Sequence, residues 1–90
     1  MIAIHKYSLT TDQTQQVLMP RGAQILSVQP QGEKIMVWAR VDTIYTNVIR
    51  KFHTALTGSD ISSRLMGKPI GTVLLGGGSF VIHVFDGGEE

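Results

Sequence analysis

A chain of 90 residues with no cysteine has room for one core, and neither disulfides nor thiolate metal sites can help to stabilise it. Eight Lys plus Arg against seven Asp plus Glu leave a net charge of +1, too weak a field to draw nucleic acid or an anionic membrane by bulk attraction, so any anion site has to be local. The longest apolar runs, such as Ile35-Met36-Val37-Trp38-Ala39, fall far short of the ~20 residues that a membrane helix requires, and the first residues lack the basic and long apolar stretches of a signal peptide.

β-branched and aromatic residues predict a first strand over 2–9 and a second over 16–19. Met19-Pro20-Arg21-Gly22 then places proline second and glycine fourth, which suits a type I turn because proline presets φ. Strands over 24–29 and 34–41 follow, joined as a hairpin by the similar Gln29-Pro30-Gln31-Gly32. The stretch Asp42 to Thr46 predicts a third reversal, and 47–57 another strand.

A helix is expected only near residues 60–66, with Ser59 or Asp60 as N-cap, Ile61 and Leu65 four apart, and Gly67 ending it. Strands over 70–75 and 79–85 flank Gly76-Gly77-Gly78, which reads as a hairpin turn. The acidic, glycine-rich residues 86–90 are expected to fray as a flexible tail. The fold class is therefore mainly β: a small antiparallel sheet, sandwich or barrel-like, with one short helix, in a single domain over 1–85.

Residues 34–41 carry Ile35, Val37, Ala39 and Val41 on one face and Met36, Trp38 and Arg40 on the other, and residues 79–85 are apolar on both faces. One short helix covers only part of a sheet. The remainder must meet a second sheet, close into a barrel or meet another subunit, and a chain this short buries only roughly 64% of its unfolded surface. Both points lead to the expectation of a homo-oligomer.

No motif specifies a reaction. His5, His53 and His83 lie in predicted strands without short metal-ligand spacing, so no metal and no cofactor is expected. The triglycine precedes a strand and lacks a following Lys-Ser or Lys-Thr, which argues against a phosphate loop. Asp60 would occupy the free amides at the start of the expected helix, making it a cap more than an anion site. No serine lies in Gly-x-Ser-x-Gly, and the aspartates sit at turns or ends, so the chain is expected not to be an enzyme. Trp38, Phe52, Phe80 and Phe85 are expected in the interior, with Tyr45 the exposed aromatic. The residues available to a ligand are then Arg50, Lys51, Arg64, Lys68 and Tyr45, cations for a phosphate and an aromatic for a base.

The segments Tyr7-Ser8-Leu9, Met19-Pro20-Arg21-Gly22-Ala23-Gln24-Ile25-Leu26-Ser27-Val28-Gln29 and Val37-Trp38-Ala39-Arg40-Val41-Asp42 resemble a family of short uncharacterised proteins of tailed phages and prophages. The similarity continues through Phe52, Thr57-Gly58, Ile70-Gly71-Thr72 and Phe80-Val81-Ile82-His83-Val84-Phe85, which is most of the chain. The resemblance implies phage origin and action in the cytoplasm of the bacterial host, and brings no assigned catalytic residues. By analogy with other small phage proteins, it implies capture or inhibition of a host protein, or sequestration of a signalling nucleotide between subunits. A minor structural role in the virion is a further alternative. Membrane and nucleic acid are not expected partners.

Overall fold

The computed structural model describes residues 1–90 and contains seven strands: β1 (Ile2–Leu9), β2 (Thr14–Pro20), β3 (Gln24–Gln31), β4 (Lys34–Asp42), β5 (Asn47–Leu56), β6 (Lys68–Leu75) and β7 (Phe80–Glu89). They form two antiparallel sheets, ordered β1-β4-β3 and β2-β5-β7-β6, that face each other without closing into a barrel. Alternation decides which way each strand faces. In β4, Ile35, Val37, Ala39 and Val41 are buried while Met36, Trp38 and Arg40 point away from the core. Between the sheets these residues meet Phe52, Val73, Ile82 and Val84 in one cluster of 13 buried side chains. Removing each large one from water contributes about 1.5–3 kcal/mol.

One side of the sandwich is drawn shut where β3 approaches β6. A Cβ placed on Gly71 would lie 2.5 Å from Cγ1 of Val28, so a residue with any side chain would force the two strands apart there. At the other side β1 and β2 each have a single neighbour, β4 and β5 respectively, and leave an edge open.

The expected helix does not form. Residues 59–67 are turns and irregular backbone: Asp60 Oδ1 accepts from the backbone N–H and hydroxyl of Ser62 at 2.9 and 2.6 Å, and Arg64 N–H donates to the Ile61 carbonyl at 3.0 Å. Short side-chain bonds of this kind compete with a helical ladder, and two turns need an apolar face to persist. That face is absent, because Leu65 is 94% exposed while Met66, which points elsewhere in a helix, is the residue that becomes buried. Since β7 lies between β5 and β6, this connection has to cross β7, and the first sheet already occupies the inner side.

Residues 86–89 are not a loose tail. They continue β7 beside β5, with Lys51 opposite Gly88 and Arg50 opposite Glu89, and the Glu90 N–H donates to the Ile49 carbonyl at 2.9 Å. A bulge at Lys51/Phe52 sets this register, and Gly87 fits there because a side chain would strike the His53 ring. The proline turns also shift: Pro30 and Gln31 stay in β3 and the hairpin turns on Gly32-Glu33, while Ala23 N–H closes a turn back to the Pro20 carbonyl. Two-residue hairpin loops match strand twist, and proline is tolerated on strands without a central ladder role. The triglycine is the expected turn, with all three residues at positive φ. The stretch Asp42 to Thr46 carries the chain from one sheet to the other and is no hairpin.

Candidate functional site

The five residues expected to hold a ligand are not brought together. Arg50 points into the sandwich, where Nε and Nη2 donate to the two Asp86 oxygens at 2.9 and 2.6 Å and Nη1 donates to the Ala23 carbonyl at 2.9 Å. The hydrogen bonds that Arg50 donates to Asp86 raise its pKa above the usual value against the opposing effect of burial. Burial pushes the Asp86 carboxyl up, but the Arg50 and Gly88 donors and the charges of Arg50 and Lys68 outweigh it, leaving the group below the usual carboxylate range.

Lys51 lies on the opposite face of β5 and pairs with Glu90 at 2.9 Å. Arg64 spends its guanidinium on the carbonyls of Gln13 and Thr54, at 2.6 and 3.2 Å, and so ties the 57–67 connection to the start of β2. Lys68 is exposed at the start of β6. Tyr45, 47% exposed in the β4–β5 connection, carries the Arg21 guanidinium 5.2 Å from its ring centre.

The histidines are dispersed as well. His83 sits between threonines, with Nε2 2.7 Å from Thr57 Oγ1 and Nδ1 3.1 Å from Thr72 Oγ1; His53 Nδ1 lies 3.0 Å from Thr14 Oγ1; His5 is exposed on β1. No three His, Asp or Glu side chains come close enough to share a metal ion. Burial, then the charges of Arg64 and Lys51, hold the His53 pKa below its usual value. The proton therefore favours the unfolded chain, and stability that is full above the unfolded pKa of about 6.5 is expected to decline as pH falls below it. Thermal melts between pH 7.5 and 5.5 should slope down in the wild type and flatten in His53→Asn; a wild type that gains stability on acidification contradicts this.

Two clefts remain. One, of about 450 Å3, opens at the end of the sandwich among Glu33, Leu56, Asp60, Arg64, Leu75 and Phe80. Its charged groups are already engaged: Glu33 accepts the Gly76 N–H at 2.9 Å, Asp60 holds Ser62, and Arg64 holds carbonyls. Phe80, expected in the core, is 56% exposed here, because the core-facing positions of β7 are Ile82 and Val84. The other cleft, of about 530 Å3, lies at the opposite corner, where the Pro20–Ala23 turn and the β4–β5 connection meet the outward side of β4. Arg21, Arg40, Gln24 and Tyr45 line it with Ile2 and Asp42. The sequence held one signal for this grouping, the outward position of Arg40 in the alternation of β4. The contact of Arg21 with Tyr45 joins two separate turns and is visible only in three dimensions.

The outer face of the β1-β4-β3 sheet has no cover. Ile2 and Ile4 of β1 are 58% and 64% exposed, opposite Asp42 and Arg40, and Trp38 and Met36 of β4 stand half-buried farther along the same face, opposite Lys6 and Ser8. Lys6, Lys34 and Arg40 project from the same side, with Asp42 at one corner.

A family model described as "Domain of unknown function (DUF7352)" matches residues 1–90. The chain belongs to that family. The description assigns neither an activity nor a source. No curated protein and no solved structure matches the chain. No helix is long and apolar enough to cross a membrane.

Proposed function

We propose that the protein is a non-catalytic binding protein, encoded by a tailed phage or prophage and acting in the bacterial cytoplasm, that captures a host protein on the outer face of the β1-β4-β3 sheet. The observation carrying this reading is the uncovered outer face, on which Ile2, Ile4, Met36 and Trp38 alternate with cations beside an unpaired strand edge. Three cations and a single corner carboxylate stand on this face, two of the cations directly opposite Ile4 and Trp38, so a partner with an acidic surface fits it better than a second copy laid face to face. Phage origin rests on the sequence resemblance alone.

Self-association is a compatible second reading, favoured by a different feature. The open edge of β1 is eight residues long and carries neither proline nor bulge, so two copies can pair edge to edge and leave the outer face free. Sedimentation velocity at tens of micromolar is expected to give a dimer that Ile4→Pro dissociates; a monomeric wild type removes this second reading.

Capture is tested by retention of a host protein on immobilised wild type, followed by binding of the purified partner. Ile4→Lys and Trp38→Ala are expected to weaken that binding at least tenfold while Thr72→Ala, on the other sheet, leaves it unchanged, and affinity should fall as salt rises. Equal binding by all three variants rules out this face.

A further inference from the structure

The four arginines divide into two pairs with different fates. Arg50 and Arg64 are consumed within the fold by a carboxylate and by carbonyl oxygens. Arg21 and Arg40 have neither: no hydrogen bond or ion pair engages either guanidinium, both are exposed, and both line the one 530 Å3 cleft. An arginine costs side-chain entropy to order, and its planar fork is matched to two oxygens of a phosphate or carboxylate.

The surroundings narrow the ligand further. Tyr45 presents a partly exposed ring under Arg21, giving a flat surface on which a planar group can stack. Ile2 adds an apolar wall, and the amide of Gln24 is unengaged by the rest of the chain. Asp42, the one carboxylate in the cleft, already receives the Ile44 N–H at 3.2 Å and the Met1 amino group at 3.5 Å on Oδ1, which offsets its repulsion of an anion. The volume lies within the range of small-molecule sites and is far too small for a folded partner.

We propose that this cleft binds a nucleotide, with the phosphate held by Arg21 and Arg40 and the base against Tyr45. The cleft is complete within one chain and needs no self-association; Ile2, Arg40 and Asp42 also belong to the face proposed to capture a host protein, and a titration without that protein tests the cleft alone. Arg50, Lys51, Arg64 and Lys68, expected from the sequence to hold a phosphate, lie outside this cleft, whereas Tyr45 lines it.

Calorimetric titration of the full chain with AMP, GMP, adenosine and inorganic phosphate tests it. Either or both nucleoside monophosphates are expected to bind more tightly than adenosine and than inorganic phosphate, each by at least tenfold. Arg21→Met and Arg40→Met should each weaken that binding tenfold or more, Tyr45→Ala should weaken it by a similar factor, and Lys68→Met, which removes an exposed cation on the other sheet, outside both the cleft and the proposed capture face, should not. The altered side chains make no hydrogen bonds in the fold, and unchanged melting temperatures will confirm intact variants. No heat from either monophosphate at millimolar concentration overturns the proposal. So does inorganic phosphate binding as tightly as the nucleotides, unchanged affinity in the arginine variants, or a single-stranded RNA oligomer that binds more tightly than any mononucleotide.

Discussion

Replacing Arg50 by methionine is expected to lower the unfolding free energy by about 3 kcal/mol, because it leaves the Asp86 carboxylate largely buried with its main partner gone. The Ala23 carbonyl loses a donor at the same time. Urea titration at pH 7 reads this loss directly. The deficit should shrink in acid: the folded pKa of Asp86 is depressed, so the stability drawn from the pair is present above the unfolded value of about 3.9 and is lost as pH falls through the folded one. Adding Asp86→Leu to Arg50→Met should restore much of the loss, since no charge is then stranded. A deficit under ~1 kcal/mol would mean that water screens the pair as it screens a surface bridge.

Phe52→Ala should cost about 3–5 kcal/mol, because the ring is fully buried at the centre of the core and stiff strands on both sides limit collapse around the hole. For a domain of this size that corresponds to a fall in melting temperature of at least ~12 °C. Trp38 lies on the outer side of the other sheet, so its emission in the native state should hardly move, which separates a weakened core from a rearranged surface. A change below ~1 kcal/mol would place Phe52 outside the cooperative core.

The strands were legible because they alternate or run apolar without interruption. Residues 34–41 separate into the two faces that the alternation defines, since a period of two admits only two assignments, but Trp38, expected in the interior, lies half-buried on the outer face with Arg40. The helix near 60–66 was misread for a local reason: a cap, a four-residue spacing and a final glycine are all present, but Asp60 and Ser62 bond to each other and leave no apolar stripe to dock. Residues 86–90 were misread for a distant one. Their order comes from Arg50 and Lys51, some 36 to 39 positions earlier, and composition contains no trace of that partnership.

The candidate site was harder still. Arg50, Lys51, Arg64 and Lys68 are near one another in sequence, but Arg50 and Lys51 point to opposite faces of one strand, and Arg64 is used to fasten a loop. The arginines without a hydrogen bond or ion pair, Arg21 and Arg40, belong to the β2–β3 turn and to β4, the central strand of the smaller sheet; Arg40 is close to Tyr45 in sequence, but only the fold brings Arg21 to them.

The placement of β7 governs the order of assembly. This ribbon is the last of the seven to leave the ribosome, yet it is inserted between β5 and β6, and neither of those touches the other without it. Until it emerges, β6 has no partner in its own sheet and β5 keeps one edge open, so the larger layer closes only after residues 80–89 have been made. A chaperone that shields nascent chains should therefore raise the soluble yield.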